Sequence, residues 1–232
     1  MEPFRRLAAL ACPLVEANID TDQLIPARFM KESRASGYGR FLLHDLRFDA
    51  EGAPIAGFIL NDPAAADARI LVAGRNFGAG SSREAAVYAL VDYGVRCVIA
   101  PSFGDIFASN AVNNGLLPAV LEEAAFEALT DWMGGAPAEL VVDLEARRIA
   151  YGGRDAAFSI PDAWRAKLLN GWDDIALTRQ HAAAIETFAR ERLRAFPWVA
   201  PRTDGPRGGA QPRSPDAGET RAGGASPQSS DL

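Results

Sequence analysis

Only two histidines and two cysteines occur in the 232 residues. Cys12 and Cys97 are far apart and each lies inside an apolar run, which excludes a disulfide framework and a cysteine-rich metal site. Such usage fits a reducing cytoplasm. His44 stands in an aromatic-rich stretch and His181 in the last helical pattern. No arrangement of acid and nucleophile surrounds either, so both are expected to be structural or exposed. Long cationic clusters are also missing and the net charge is −6, leaving nothing to neutralise a row of phosphates; nucleic acid is not an expected partner. No apolar run reaches the roughly 18 residues of a membrane span. LAALAC after Arg5 and Arg6 imitates a signal peptide, but it is short, meets Pro13 and is soon followed by Glu16. It is read as a first strand near Leu7 to Val15. From Pro201 to Asp231 there is no Val, Ile, Leu, Met or aromatic residue. Residues 200–232 are therefore expected to be a disordered low-complexity tail, leaving 1–199 as one folded domain.

What is present is the composition of a globular chain, 48% apolar and 23% charged, long enough to bury a core of ordinary size. ARILVAG (68–74) and VRCVIAPS (95–102) read as buried strands around a helical pattern at 81–94 that closes on Gly94. That is a βαβ unit with parallel strands. A second helix over 103–115, a strand at LLPAVL and a third helix over EEAAFEALTDWMGG follow. ELVVDLEARRIAYGGRDAAFSI alternates as a β-hairpin, PDAWRAKLLNG opens a helix with proline in its first turn, and a last helix is expected from about Trp172 to Phe196. The fold class is α/β, one domain with a mixed, partly parallel sheet.

The stretch NFGAGSSREAAVYAL (76–90) has the layout of an anion site, a loop of glycines and serines running into a helix. Two readings stand side by side. Ser81 and Glu84 have the spacing of a capping box, in which each side chain serves the other's backbone amide. That leaves Gly78, Gly80, Ser82 and Arg83 unexplained, and such a loop at the positive end of a helix attracts a carboxylate or a phosphate. A dinucleotide fingerprint fails because Arg83 stands where its third glycine belongs and no acidic residue ends the next strand. A P-loop lacks its Gly-Lys, and a hydrolase elbow lacks glycines at 79 and 83. Asp20 and Asp22 suggest a calcium loop, yet Ile25 occupies the position of the required glycine. Asp20, Thr21 and Asp22 are expected to form local turn structure.

ANIDTDQLIPARFM (17–30), NFGAGSSREAAVYALVDYG (76–94), VIAPSFGDIFASNAVNNGLLP (98–118) and GWDDIALTRQH (171–181) together resemble the small subunits of 3-isopropylmalate dehydratase, in the aconitase superfamily. The likeness runs in order over about residues 7–195. It implies a single swivelling β/β/α domain, working as a heterodimer over the cleft of a large subunit that carries an iron–sulfur cluster; no cofactor or metal is expected on this chain. It implies a hydro-lyase of leucine biosynthesis acting on a small dicarboxylate, moving the hydroxyl of 2-isopropylmalate to the neighbouring carbon by dehydration and rehydration. By motif match Ser81 is the base, acting as an alkoxide favoured by the helix N-terminus and by Arg83. Arg83 alternatively clamps a substrate carboxylate, with Ser82 and Gly80 beside it. The segment from about Ala27 to Gly39 would lie beside the site, with Phe29 and Met30 near the branched alkyl group, or else in ordinary core, and Arg34 near a carboxylate. The chain departs from the family where Ala79, Ala85, Val87 and Tyr88 stand. Those departures leave open related substrates, methylmalate, citraconate or homoaconitate. A stand-alone nucleotide-binding domain or small-molecule-binding module stays as an alternative class.

Overall fold

The computed structural model describes residues 1–200, so the segment expected to be a low-complexity tail lies, from Pro201 on, outside the described residues. The described residues divide into two units, one spanning Met1–Ala182 and the other beginning at Ala183. In chain order the elements are β1 (Arg6–Leu14), α1 (Thr21–Leu24), α2 (His44–Arg47), β2 (Ile70–Ala73), α3 (Glu84–Tyr93), β3 (Cys97–Ala100), α4 (Asp105–Asn113), β4 (Leu117–Leu121), α5 (Glu123–Met133), β5 (Ala138–Asp143), β6 (Arg148–Tyr151), β7 (Arg154–Ser159), α6 (Asp162–Asn170), α7 (Asp174–Arg179) and α8 (Ala182–Ala195).

The sheet is mixed, as expected from the sequence, and it closes on itself as a barrel in the order β1-β2-β3-β4-β7-β6-β5. Strands β1 to β4 run parallel. Strands β5 to β7 form an antiparallel meander and join both edges of the parallel half by antiparallel seams. The long β1 makes closure possible: Arg6–Ala11 pairs with β5, while Ala11–Leu14 pairs with β2. Every residue of β2 and β3 is buried, as parallel strands covered on both faces require. In β6 and β7 burial alternates, one face packed and one in water.

Two apolar cores follow from this pattern. One face of all seven strands, with Phe126 and Leu129 of α5 and Leu168 of α6, makes a shared core. The opposite face of β1 to β3 packs under Ala86, Val87 and Leu90 of α3 and under the long β1–β2 connection. Gly94 stops α3 in the left-handed conformation at φ 109°, where its N–H reaches the Leu90 and Val91 carbonyls.

Four local expectations are corrected. The helix expected from Ser81 begins at Glu84. The hairpin over 139–160 is three strands, because Gly152 and Gly153, at φ 50° and 76°, add a tight turn after Tyr151. Pro161 is the N-cap of α6 and not part of its first turn. The helix over 172–196 is two helices, α7 starting only where the Asp173 side chain accepts from the Ala176 N–H at 2.6 Å and stopping at Gln180.

Candidate active site

The connections that follow β1, β2 and β3 all leave the carboxyl ends of parallel strands, the end where α/β sheets present their binding loops. They stay paired beyond the strands. Isolated parallel bridges join Asp20 to Ala79 and Phe77 to Phe103. The Gly78 N–H donates to the Ile19 carbonyl at 2.7 Å, and the Thr21 N–H donates to the Ala79 carbonyl at 2.9 Å. The serine–arginine loop is thus laced to the start of α1 by backbone bonds across about sixty residues of sequence.

Its glycines have two different duties. A side chain on Gly78, at φ 72°, would place its first carbon 2.2 Å from the Phe107 ring, so Gly78 serves packing rather than the ligand approach expected of it. Gly80, at φ 101°, leaves room for Thr21, whose hydroxyl would lie 3.3 Å from an added carbon.

Ser81 is exposed and does not cap α3. Arg83 occupies the N-cap with extended backbone and no side-chain cap bond, which overturns the capping-box reading. The Ser81 hydroxyl instead lies 3.2 Å from the hydroxyl of Thr21, which also donates to the Ser81 carbonyl at 3.0 Å. That carbonyl accepts a second bond, from the Arg83 N–H at 2.7 Å. Glu84, the other half of the expected box, accepts from the Asn114 side chain at 2.9 Å and ties the start of α3 to the end of α4. A complete capping box does exist nearby, between Asp20 and Gln23 around α1.

The Arg83 guanidinium pairs with the Asp22 carboxylate through Nη1. Asp20, Thr21 and Asp22 are therefore more than turn formers: one caps α1, one holds Ser81 and one holds Arg83. Sequence reasoning missed the last two roles. The only signal available was the proximity of both motifs to strand ends.

Gly80, Ser81, Ser82 and Arg83 are brought together on one loop, with Ser82 exposed. Phe29, half-buried on the 3-10 turn Ala27–Lys31, stacks on Phe41 at 4.2 Å, while Met30 is 44% exposed. Arg34 pairs with Asp92 and lies 4.4 Å over the Tyr88 ring. Asp92 sits eight residues beyond Glu84 in α3, about 12 Å along the axis, so the Arg34 guanidinium is held toward the other end of the helix from Arg83. A concavity of about 470 Å³ lined by Gly39, Arg40, Arg47, Asp92 and Tyr93 belongs to that same end and does not include Ser81.

His44 is half-buried against Phe29 and Phe48, with Nδ1 3.1 Å from Asp45, and His181 is exposed. The Asp45 carboxyl is held down to about 2, first by its bond from Arg28. Burial pushes the Cys12 thiol up to about 12 and raises that of Cys97 further, so neither offers a thiolate near neutrality. Among the described residues no three His, Cys, Asp or Glu side chains gather to hold a metal ion. The departures at 79, 85, 87 and 88 separate by burial: Val87 is fully buried in the core under α3 and lines no binding surface, whereas Ala79, Ala85 and Tyr88 are half-buried.

Comparison with known proteins gives consistent matches. The aconitase C-terminal domain matches residues 1–124, and the C-terminal domain of the 3-isopropylmalate dehydratase small subunit matches residues 174–202. A 3-isopropylmalate dehydratase small subunit from Rhodospirillum centenum is 48% identical over 201 residues, 86% of this chain and 99% of that one. One from Cereibacter sphaeroides (strain KD131 / KCTC 12085) is 45% identical over 201 residues, 86% of this chain and 100% of its own. In fold, the chain resembles the crystal structure of a 3-isopropylmalate dehydratase from Methanocaldococcus jannaschii, with a TM-score of 0.57 at 24% identity over 78% of this chain and 98% of that one.

Proposed function

The chain belongs to the family of 3-isopropylmalate dehydratase small subunits, and from that premise we propose how its serine–arginine loop takes part in the reaction. As a family member it is the small subunit of a hydro-lyase of leucine biosynthesis, partnered by a large subunit. In our reading the two form a heterodimer that is active only when assembled and that isomerises 2-isopropylmalate to 3-isopropylmalate by removing and re-adding water. The large subunit would hold the iron–sulfur cluster, which when bound would supply the Lewis-acid chemistry that removal of the hydroxyl needs. This chain's described donors do not fit such a cluster, since the thiols of Cys12 and Cys97 are buried and protonated.

What the chain supplies is proton transfer and orientation. Ser81 Oγ takes the proton from the carbon beside a substrate carboxylate and returns a proton on rehydration. Arg83 clamps that carboxylate; among the described residues Asp22 engages Nη1 alone, which leaves the other guanidinium N–H groups for the ligand. Ser82 donates beside it, and Gly80 keeps the approach clear. Phe29 and Met30 meet the alkyl group once the loop is covered by the large subunit, and Arg34 exchanges Asp92 for a carboxylate. The observation that carries this reading is the exposed Ser81 hydroxyl and the Arg83 guanidinium two residues apart, each held from α1.

The test uses the complex reconstituted with its large subunit. Ser81→Ala should lower turnover by orders of magnitude with little change in KM, because it deletes an interaction with the reacting proton. Arg83→Lys keeps the charge but loses the planar fork, so KM should rise as turnover falls. Isopropylmalate turnover by the chain alone would sink the reading. Assaying methylmalate, citraconate and homoaconitate beside it shows whether Ala79 and Ala85 have moved the substrate preference.

A further inference from the structure

We infer that Thr21 is a positioning residue for Ser81, a buried hydroxyl whose single hydrogen turns from the Ser81 carbonyl to the Ser81 side-chain oxygen when that oxygen is ionised. The inference rests on the reading of Ser81 as the base. Thr21 is 1% exposed, a fully covered polar side chain. Burial of a hydroxyl is unfavourable unless its hydrogen bonds are made. Here both partners lie on Ser81: the carbonyl at 3.0 Å and the hydroxyl at 3.2 Å.

Counting hydrogens links the directions of the two bonds. A threonine hydroxyl has one hydrogen, and a carbonyl only accepts. With the Thr21 hydrogen on the Ser81 carbonyl, the contact between the two hydroxyls must be donated by Ser81. In that arrangement Ser81 points its own hydrogen at Thr21 and keeps lone pairs for the exposed side. Once Ser81 Oγ has released its proton to solvent through its exposed side it can only accept, and the Thr21 hydrogen is within reach of it. The switch leaves no group unpaired, because the Ser81 carbonyl still accepts from the Arg83 N–H at 2.7 Å. Apart from the departing Ser81 proton, no atom other than that hydrogen has to move.

The surrounding structure holds the oxygen in place for this. Asp20 and Gln23 cap the short helix that carries Thr21, and the Thr21 N–H is bonded to the Ala79 carbonyl at 2.9 Å. Gly80 has no side chain to crowd the hydroxyl, since an added carbon would stand 3.3 Å from it. An oxyanion served by a fixed donor needs no rearrangement of water at the moment of reaction. The donor favours the ionised form of Ser81, and its removal should move the ionisation to higher pH.

Thr21→Val keeps the shape and removes the hydrogen. In the reconstituted complex its kcat should fall about 10- to 100-fold with KM within about twofold, and the acid limb of the pH–rate profile should move up by about one unit. Thr21→Ser should restore both. Thr21→Cys, a weak donor of similar volume, should fall between them and serves in place of the valine variant if that one does not assemble. A wild-type kcat and unmoved acid limb in Thr21→Val or Thr21→Cys overturns the inference, and so does a loss in Thr21→Ser as large as in Thr21→Val. Ser81→Ala run in parallel separates the two claims. If it retains near-normal turnover, the base assignment itself has failed; if it is inactive while Thr21→Val is normal, only Thr21 has been misread.

Discussion

The two halves of the barrel are built by the same sheet hydrogen bonding and carry different burdens. In the parallel half, each strand must return to the starting end before the next can begin, so successive connections leave from one end and crowd there. Ser81, Arg83, Thr21 and Asp22 all lie on such connections. In the antiparallel half β5, β6 and β7 are joined by short turns that alternate between ends, Arg148 forming an ion pair with Asp155 diagonally across β6 and β7. That half closes the barrel and carries none of the loop motifs. Chain direction, more than composition, decides where polar side chains from distant segments can meet.

The comparison can be broken by substitution. Leu71 in β2 is fully buried in a strand covered on both faces, so Leu71→Ala should lower unfolding free energy by about 2 to 5 kcal/mol, read by denaturant unfolding. A loss under about 1 kcal/mol would show that the parallel half is not the tightly packed one. Gly78→Ala comes next. Its added carbon strikes Phe107 at a positive φ, and about 1 to 3 kcal/mol of stability should go, together with part of the complex's activity because the loop carrying Ser81 must shift. Unchanged stability in that variant would mean the loop has slack, and the fixed geometry at Thr21 would lose its support. Smallest is Ala150→Thr on the solvent face of β6, expected to stay within about 0.5 kcal/mol of the parent with activity untouched. An activity change there would place function in the antiparallel half.

Local chemistry is legible wherever a few neighbouring residues decide it. Gly94 as the stop of α3, the buried apolar runs of β2 and β3, and the family likeness of Gly80-Ser81-Ser82-Arg83 all read directly from the residues. Failures fall where a local pattern has a distant competitor. Ser81 and Glu84 have capping-box spacing, yet Ser81 is taken by Thr21 and Glu84 by Asn114, from segments 60 and 30 residues away. The pairing of Arg34 with Asp92, 58 residues on, likewise has no local signal, and it leaves the expected carboxylate role of Arg34 to the proposal above. A continuous helix over 172–196 rests on periodicity alone, and the cap made by Asp173 together with the stop at Gln180 divides it.

Sequence alone, then, specifies the kinds of element and the kind of site. Side-chain periodicity and turn chemistry act over a few residues and survive in any arrangement of the chain. The same local order puts a serine and an arginine on a loop before a helix, enough to name the reaction class through the family. The partners of those two side chains were settled at the tertiary level. The closed sheet sets β1 beside β2 in parallel, and the residues leaving their ends, Thr21 and Asp22 from one and Ser81 and Arg83 from the other, meet because strand order, a long-range property, put them at adjacent exits.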